Sequence, residues 1–233
     1  MFGRIGRLCL AGLLLVGTPL LAAAAQTSVL VEELSRAAPG LDRQALSDAV
    51  AAMQCALNQG AEPARRLAVI DYSQPSTARR LWIFDLHSKR LLLRDYVAHG
   101  RLSGENYASR FSNRLGSYQS SLGLFRTAES YHGKHGYSLR MDGLNPGIND
   151  LARERAIVIH GAAYVNPALA RSHGRIGRSL GCPAVRPEIA RLVVDKLKGG
   201  QFLLAWHSDP RWLNRAALLR CQAQPLRLAR RDD

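Results

Sequence analysis

The residues of this 233-residue chain that are best suited to catalysis are one cysteine and one histidine. Cys182 lies in the stretch GRIGRSLGCPAV, and His160 ends the apolar run AIVIH 22 positions earlier. A cysteine attacks as its thiolate, and a nearby imidazolium or helix N-terminus lowers the thiol pKa. The backbone N–H groups of Gly181 and Cys182 could form an oxyanion hole for a tetrahedral intermediate. This combination predicts acyl transfer through a thioester.

A metal site is the main alternative chemistry for these residues. A zinc site built from His160, Cys182 and the HGKH segment would contain a single close ligand pair, His132 and His135. The segment DGLNPGIND resembles a calcium loop in composition only, and we expect it to form turns. We therefore expect no metal and no cofactor.

The N-terminus has the organisation of a secretory signal peptide. Two arginines precede the apolar run LCLAGLLLVG, Pro19 then breaks any helix, and LLAAAAQ offers small residues for cleavage after Ala25. An uncleaved membrane anchor is the alternative, because residues 8–31 carry no charge, but two glycines and a proline disfavour a spanning helix. We therefore predict export to the periplasm or cell envelope, with no integral membrane span after signal cleavage.

The chain is strongly basic, with a net charge of +14 that falls to about +12 when the signal peptide and its two arginines are removed. This surplus favours an anionic polymer or surface. An exported protein seldom meets nucleic acid, whereas envelope polymers are also acidic, so we predict an envelope partner and no nucleic acid. No feature of the sequence indicates an oligomeric state.

Three cysteines remain after signal cleavage, which is an odd number for an oxidising compartment. Cys55 and Cys221 lie in segments that flank the middle of the chain, and Cys182 lies in its most glycine-rich part. We favour a Cys55–Cys221 disulfide with Cys182 free, although cysteine spacing alone leaves other pairings open.

Helical periodicity dominates residues 26–62. The helix expected over 43–58 presents four apolar residues on one face, with Asp42 as its N-cap; these are Leu46, Val50, Met53 and Leu57. We interpret this segment as a small helical addition that packs on the main domain.

We predict that residues 63–208 form a sheet-dominated domain with a mainly β, α+β fold. Short β-rich runs are bounded by turn residues, and the last of them is QFLLAWH. One helix begins at Pro187, with an apolar stripe of Ile189, Leu192, Val193 and Leu197. The segments 99–121 and 131–150 are predicted as long, functional loops. Residues 209–233 are expected to form a C-terminal helix and tail.

The motifs of the central domain resemble the L,D-transpeptidase (YkuD-like) catalytic domain of peptidoglycan biosynthesis, in its murein L,D-transpeptidase branch. They include VAHGRLSG, YHGKHGYSLRMDGL, RAIVIHGA and GR-x-GCPAV, all spread over residues 67–206. The resemblance implies a β-sandwich-like domain and a two-step reaction. Cys182 would attack the carbonyl of an L-centre in a donor stem peptide, and an amine of a second stem peptide would accept the acyl group.

The resemblance also implies the roles of individual residues. His160 would accept the thiol proton, Ser179 matches the Ser/Thr of the signature, and Gly181 matches the glycine before the nucleophile. His135 or His132 would approach the thiol from the histidine-rich loop. We also predict substrate contacts from residues around these motifs, namely Tyr137, Arg140, Gly161 and Arg178. Arg175 and Arg186 are further candidates for a carboxylate, because a guanidinium pairs with it through two hydrogen bonds.

The sequence departs from the commoner family pattern at two positions. Leu180 stands where relatives have a histidine, and Ala184 stands where they have asparagine or arginine. Two other functions remain compatible with the sequence: hydrolysis of stem peptides as an L,D-carboxypeptidase or endopeptidase, and non-catalytic binding to envelope polymers.

Overall fold

The computed structural model describes residues 19–215, 217–219 and 221. Within them the strands are β1 (Arg66–Asp71), β2 (Leu81–Asp85), β3 (Arg90–Asp95), β4 (Gly123–Gly133), β5 (Gly136–Gly143), β6 (Val158–Gly161), β7 (Ala184–Val185) and β8 (Phe202–Trp206). The helices are α1 (Pro19–Ala37), α2 (Arg43–Asn58), α3 (Pro167–His173), α4 (Pro187–Leu197) and α5 (Pro210–Leu213), and a 3-10 turn follows at Ala217–Leu219. The predicted α+β class is confirmed.

The strands form one mixed sheet in the order β3-β2-β1-β8-β4-β5-β6-β7. The pairs β1–β8 and β6–β7 are parallel, and the other neighbours are antiparallel. These directions place the N-terminal ends of β4, β6 and β7 at the same end of the sheet as the C-terminal ends of β5 and β8. We call it the cysteine end of the sheet, because the Cys182 loop enters β7 there.

The predicted helix over 43–58 is confirmed as α2. The Asp42 carboxylate caps it by accepting hydrogen bonds from the N–H groups of Gln44 and Ala45 at 2.7 and 3.1 Å. The predicted apolar face is buried, and α2 packs against β1 and β8. This packing confirms that the N-terminal helices cover the central sheet.

The described part of the N-terminal helix begins at Pro19. α1 therefore runs through Ala25, the predicted cleavage position. Residues 1–18 of the predicted signal peptide and 222–233 of the predicted tail lie outside the described residues.

Cys55 and Cys221 form a disulfide, with their Cα atoms 5.4 Å apart. The bridge ties the segment after α5 back to α2. In the described part of the chain, Cys182 is the free cysteine.

The apolar stripe predicted for α4 is wrong at one position. Val193 and Leu197 are buried as expected, but Leu192 is 43% exposed, and Ala190 and Val194 share the buried face instead. The buried set follows the i, i+3, i+4, i+7 spacing of a helix that packs on one sheet face. α4 covers β5 and β6 in this way.

The prediction of a loop over 131–150 is wrong for its first half. β4 continues to Gly133, and β5 follows as the second strand of a hairpin. Aromatic and polar residues on this exposed part of the hairpin gave no buried apolar run. Lys134 and His135 form its turn, and we call residues 132–136, the turn with the adjoining strand ends, the hairpin tip. Within the described residues, no helix is long and apolar enough to cross a membrane.

Candidate active site

Cys182 lies in the loop between α3 and β7, at the cysteine end of the sheet. Its partly exposed thiol donates to the Ala156 carbonyl, with 3.6 Å between sulfur and oxygen. The sulfur also accepts a hydrogen bond from the Val158 amide at 3.5 Å. Backbone groups at the start of β6 therefore fix the position of the sulfur.

Ser179 braces the turn that carries the cysteine. Its hydroxyl donates to the Cys182 carbonyl at 2.6 Å and accepts from the Gly181 amide at 3.0 Å. The Gly181 amide already donates to the Ser179 hydroxyl, so the predicted oxyanion hole loses one of its two donors. The Cys182 amide donates to no other described residue, so it is the available donor.

Gly181 is required by its backbone conformation and by the crowding around it. Its φ of 130° lies in a region that residues with side chains rarely adopt. A Cβ at this position would lie 2.9 Å from the Gln119 carbonyl oxygen. The Ser120 hydroxyl also donates to the Gly181 carbonyl at 3.1 Å. The turn is thus held from both sides.

His160 has a defined tautomer and is buried in β6. Its Nδ1 lies 2.9 Å from the Gly161 carbonyl oxygen, which can only accept, so Nδ1 carries the proton and Nε2 can accept one. Burial lowers the pKa of His160, and the charges of His135 and Lys134 on the hairpin tip lower it further. The His135 ring stacks on His160, with the ring centroids 4.4 Å apart. The ring of His160 is therefore a neutral base at neutral pH.

The pairing of β6 with β7 places the cysteine turn beside the strand that carries His160. His160 pairs in register with Ala184, two residues after Cys182. The described hydrogen bonds of the sulfur go to backbone groups rather than to His160. Catalytic hydrogen bonds often tighten only when substrate binds.

The resting thiol is also neutral. Burial raises the pKa of Cys182, while the Val158 amide and the charges of Arg155 and Lys134 act in the opposite direction. A neutral thiol beside a neutral imidazole is suited to proton transfer during attack rather than to a preformed ion pair.

The four arginines predicted as carboxylate ligands all have acidic partners. Glu129 lies 3.1 Å from Arg140, and Glu105 lies 3.0 Å from Arg175 and 2.7 Å from Arg178. Asp95 pairs with Arg186 through two hydrogen bonds of 2.8 and 2.6 Å. Their charges are therefore compensated within the fold.

The other predicted contacts are divided between the two faces of the sheet. Arg140 pairs in register with Val158, so its side chain projects on the same face as His160. The Tyr137 hydroxyl instead lies 2.9 Å from Asp195 of α4. Gly161 allows close packing on the same helix, because a Cβ there would lie 2.9 Å from the Cβ of Ala190.

Three residues of the site were missed by the sequence analysis. Arg155 and Lys134 are the cations whose charges favour the Cys182 thiolate. Burial and the charge of Cys182 both raise the pKa of Tyr164, which lies on the loop after β6. Arg155 stands three residues before β6, and nothing in its local sequence marks it as different from the other arginines.

The two departures from the family pattern have different environments. Leu180 is 57% exposed beside the nucleophile, so it can offer an apolar contact to a ligand. Ala184 is fully buried in β7 between His160 and Ala98, so a longer polar side chain would have no space there.

A cleft of about 450 Å³ also lies at the cysteine end. Its walls combine polar, aromatic and basic residues, including Phe111, Gln119, Trp212, Arg110 and Arg215. Gln119 is shared with the cysteine turn, since its carbonyl lies under Gly181. No group of three or more His, Cys, Asp or Glu side chains that could hold a metal ion occurs in the described ranges.

Comparison with solved structures returns L,D-transpeptidases at low identity. One from Mycobacterium smegmatis is 14% identical over 61% of this chain and 59% of its own, with a TM-score of 0.39. One from Stackebrandtia nassauensis is 12% identical over 83% of this chain and 93% of its own, with a TM-score of 0.36. The chain thus spans about three fifths of the length of the first of them.

No curated protein matches this chain. A family model described as the L,D-transpeptidase catalytic domain matches residues 37–206, which include the cysteine turn, His160 and the hairpin tip. The chain therefore belongs to the L,D-transpeptidase catalytic domain family.

Proposed function

We propose that this protein is a peptidoglycan L,D-transpeptidase in which Cys182 is the nucleophile. The observation that carries the proposal is a free, partly exposed cysteine on a braced Gly-Cys turn, next to the strand that carries a neutral histidine with an unoccupied Nε2. Family membership supports the same reaction class.

In the first step, His160 Nε2 takes the thiol proton as the sulfur attacks the carbonyl of an L-residue in the donor stem peptide. The Cys182 amide stabilises the oxyanion that forms. The peptide bond to the following D-residue then breaks, and His160 returns the proton to the leaving amine. The product is a thioester on Cys182.

In the second step, the amine of an acceptor stem peptide attacks the thioester carbonyl. His160 removes a proton from this amine and delivers it to the departing sulfur, so the free thiol is restored. Ser179 and Gly181 keep the turn in position without exchanging protons. His135 limits the movement of the His160 ring by stacking on it.

We further propose that the acceptor peptide extends into the cleft at the cysteine end. Arg110 and Arg215 are exposed and have no acidic partner among the described residues, so they can pair with carboxylates of the stem. Leu180 would contact the donor on the other side of the sulfur.

The proposal includes export and a division of the chain. Residues 1–25 are the signal peptide, 26–62 the helical addition, 63–208 the catalytic domain and 209–233 the C-terminal segment. The Cys55–Cys221 disulfide supports an oxidising compartment, where such bridges persist. The partner is the peptidoglycan stem peptide.

The test is incubation of the purified protein with disaccharide-peptide fragments of peptidoglycan, followed by liquid chromatography and mass spectrometry. Cross-linked dimers are expected from the wild type and should be absent with Cys182→Ala. Ser172→Ala is a matched control, because this hydroxyl lies on α3 and donates to the Ala168 carbonyl, away from the sulfur.

Hydrolysis would give trimmed monomers in place of dimers, because water and the acceptor amine compete for the same thioester. Equal product from wild type and Cys182→Ala would contradict the nucleophile. Binding of fragments without any turnover would favour the non-catalytic envelope function instead.

A further inference from the structure

Arg155 differs from the four arginines predicted as carboxylate ligands because it has no acidic partner in the described part of the chain. Within the described residues, no carboxylate lies within 4.0 Å of its guanidinium, and the side chain is about half buried. A cation that is withdrawn from water must be compensated by hydrogen bonds or by an opposite charge.

Neutral oxygens of one loop supply the hydrogen bonds. Nη1 donates to the Ser112 carbonyl and the Ser121 hydroxyl, both at 2.5 Å. Nη2 donates to the Gln119 carbonyl at 2.7 Å and to the Ser117 hydroxyl at 3.1 Å. These four contacts tie residues 112–121 to the segment that leads into β6.

The same loop supports the cysteine turn. A Cβ on Gly181 would meet the Gln119 carbonyl at 2.9 Å and Arg155 Nη2 at 3.5 Å. The guanidinium therefore lies against the residue that precedes the nucleophile.

We propose that Arg155 is a positioning residue for the reaction: it clamps residues 112–121 beneath the cysteine turn and supplies the cation that stabilises the Cys182 thiolate. The thiolate is the missing opposite charge for this half-buried guanidinium. The inference rests on the proposed role of Cys182 as the nucleophile.

Electrostatics agrees with this geometry. Arg155 lowers the pKa of Cys182, and Cys182 in turn favours the charged form of Arg155. The other titratable or charged groups around the sulfur come from four elements, namely Lys134 and His135 on the hairpin tip, His160 on β6, Tyr164 on the following loop and Tyr72 after β1.

The test measures the rate at which iodoacetamide alkylates Cys182 in the full chain between pH 6 and 10, read by peptide mass spectrometry. Alkylation requires a thiolate but no peptide transfer. The role of Arg155 can therefore be refuted while the proposed function holds, and the proposed function can be refuted while Arg155 still affects alkylation. Arg155→Gln removes the charge, and Arg155→Lys keeps it while losing the planar fork. Arg153→Gln is the matched control, because Arg153 is exposed and paired with Glu129 and Asp142.

The alkylation rate of Arg155→Gln at pH 7 is expected to fall about tenfold, which corresponds to a rise of one unit in the thiol pKa. Arg155→Lys should stay within about threefold of the wild type, although both variants should melt at a lower temperature. An unchanged rate in Arg155→Gln, or an equal fall in Arg155→Lys, would overturn the electrostatic role.

A second measurement is made with Arg155 in place, so it also covers the case in which Arg155→Gln does not fold. The side-chain Nε–H resonance of Arg155 should shift with the ionisation of Cys182 in the wild type and stay constant in Cys182→Ser. An Arg155 resonance that does not respond to the thiol would refute the proposal.

Discussion

Two histidine-glycine segments, VAHG at 97–100 and VIHG at 158–161, pair with opposite sides of the cysteine loop and β7, and they serve different purposes. His99 uses both ring nitrogens: Nδ1 accepts from Arg80 at 2.7 Å, and Nε2 donates to the Gly104 carbonyl at 3.3 Å. Burial, together with the charge of Arg80, lowers the pKa of His99 to about 3.

His160 uses one ring nitrogen. Nδ1 donates to the Gly161 carbonyl, and Nε2 has no hydrogen-bond partner in the described structure. Both residues are at most 3% exposed, so exposure does not distinguish them. A general base needs a ring nitrogen with a free lone pair. His160 has one at Nε2, whereas the corresponding lone pair of His99, on Nδ1, accepts a hydrogen bond from Arg80. The comparison therefore separates a structural histidine from a catalytic candidate with the same neighbour in sequence.

The largest expected effect comes from His160→Gln. Loss of the general base should lower the rate of product formation about 10²- to 10⁴-fold, with little change in the melting temperature. Fragment turnover measured by chromatography, alongside thermal unfolding, checks this outcome. A fall of less than tenfold in a folded variant would remove His160 from its proposed role.

His99→Gln should show the opposite pattern. It breaks a buried hydrogen bond to a charged donor, so we expect a loss of about 1–3 kcal/mol in the free energy of unfolding. The rate per folded molecule should remain within about threefold of the wild type. Urea unfolding and active-site titration measure the two quantities, and a large rate loss without destabilisation would reverse the comparison.

The two histidines also differ in their pH dependence. The unfolded chain protonates His99 near its ordinary pKa of 6.5, while the folded protein resists protonation down to about pH 3. Stability from this residue is therefore complete above pH 6.5 and is lost as the pH falls toward 3, at up to about 1.4 kcal/mol per pH unit. His99→Gln should reduce this slope, measured by urea unfolding between pH 7 and 4. An identical slope in the variant would contradict the account.

The smallest expected effect comes from the ring that stacks on His160. His135→Ala removes an exposed contact worth about 0.5–1.5 kcal/mol, so the rate should fall about two- to tenfold. His132→Ala is the matched control, because that ring stacks on Tyr137 instead. Equal losses in both variants would assign the effect to the whole hairpin tip rather than to the stacked pair.

The sequence predicts those elements that are determined by interactions between residues close together in the chain. α2 has an N-cap and an apolar face within sixteen residues, so its bounds follow from local chemistry. The Gly-Cys turn and His160 are recognisable because glycine, cysteine and the end of a buried strand coincide. The family resemblance then joins them in one site.

The remainder depends on contacts between distant segments. The segment that contains β5 is polar, aromatic and glycine-rich, so its sequence predicts a loop, although β4 and β6 pair with it. Arg155 is set apart from four other arginines only because their acidic partners lie elsewhere in the chain. The difference between His99 and His160 depends on Arg80, which lies 19 positions before His99. Local patterns carry no record of such partners.

The most direct test of the central claim is to trap the acyl-enzyme. The protein is mixed with a disaccharide-tetrapeptide fragment, quenched in acid within seconds and examined by intact-protein and peptide mass spectrometry. We predict an adduct equal to the fragment minus its terminal D-residue on the peptide that contains Cys182, and none with Cys182→Ala. Product formation by Cys182→Ala, or an acyl group on any other residue, would contradict the account.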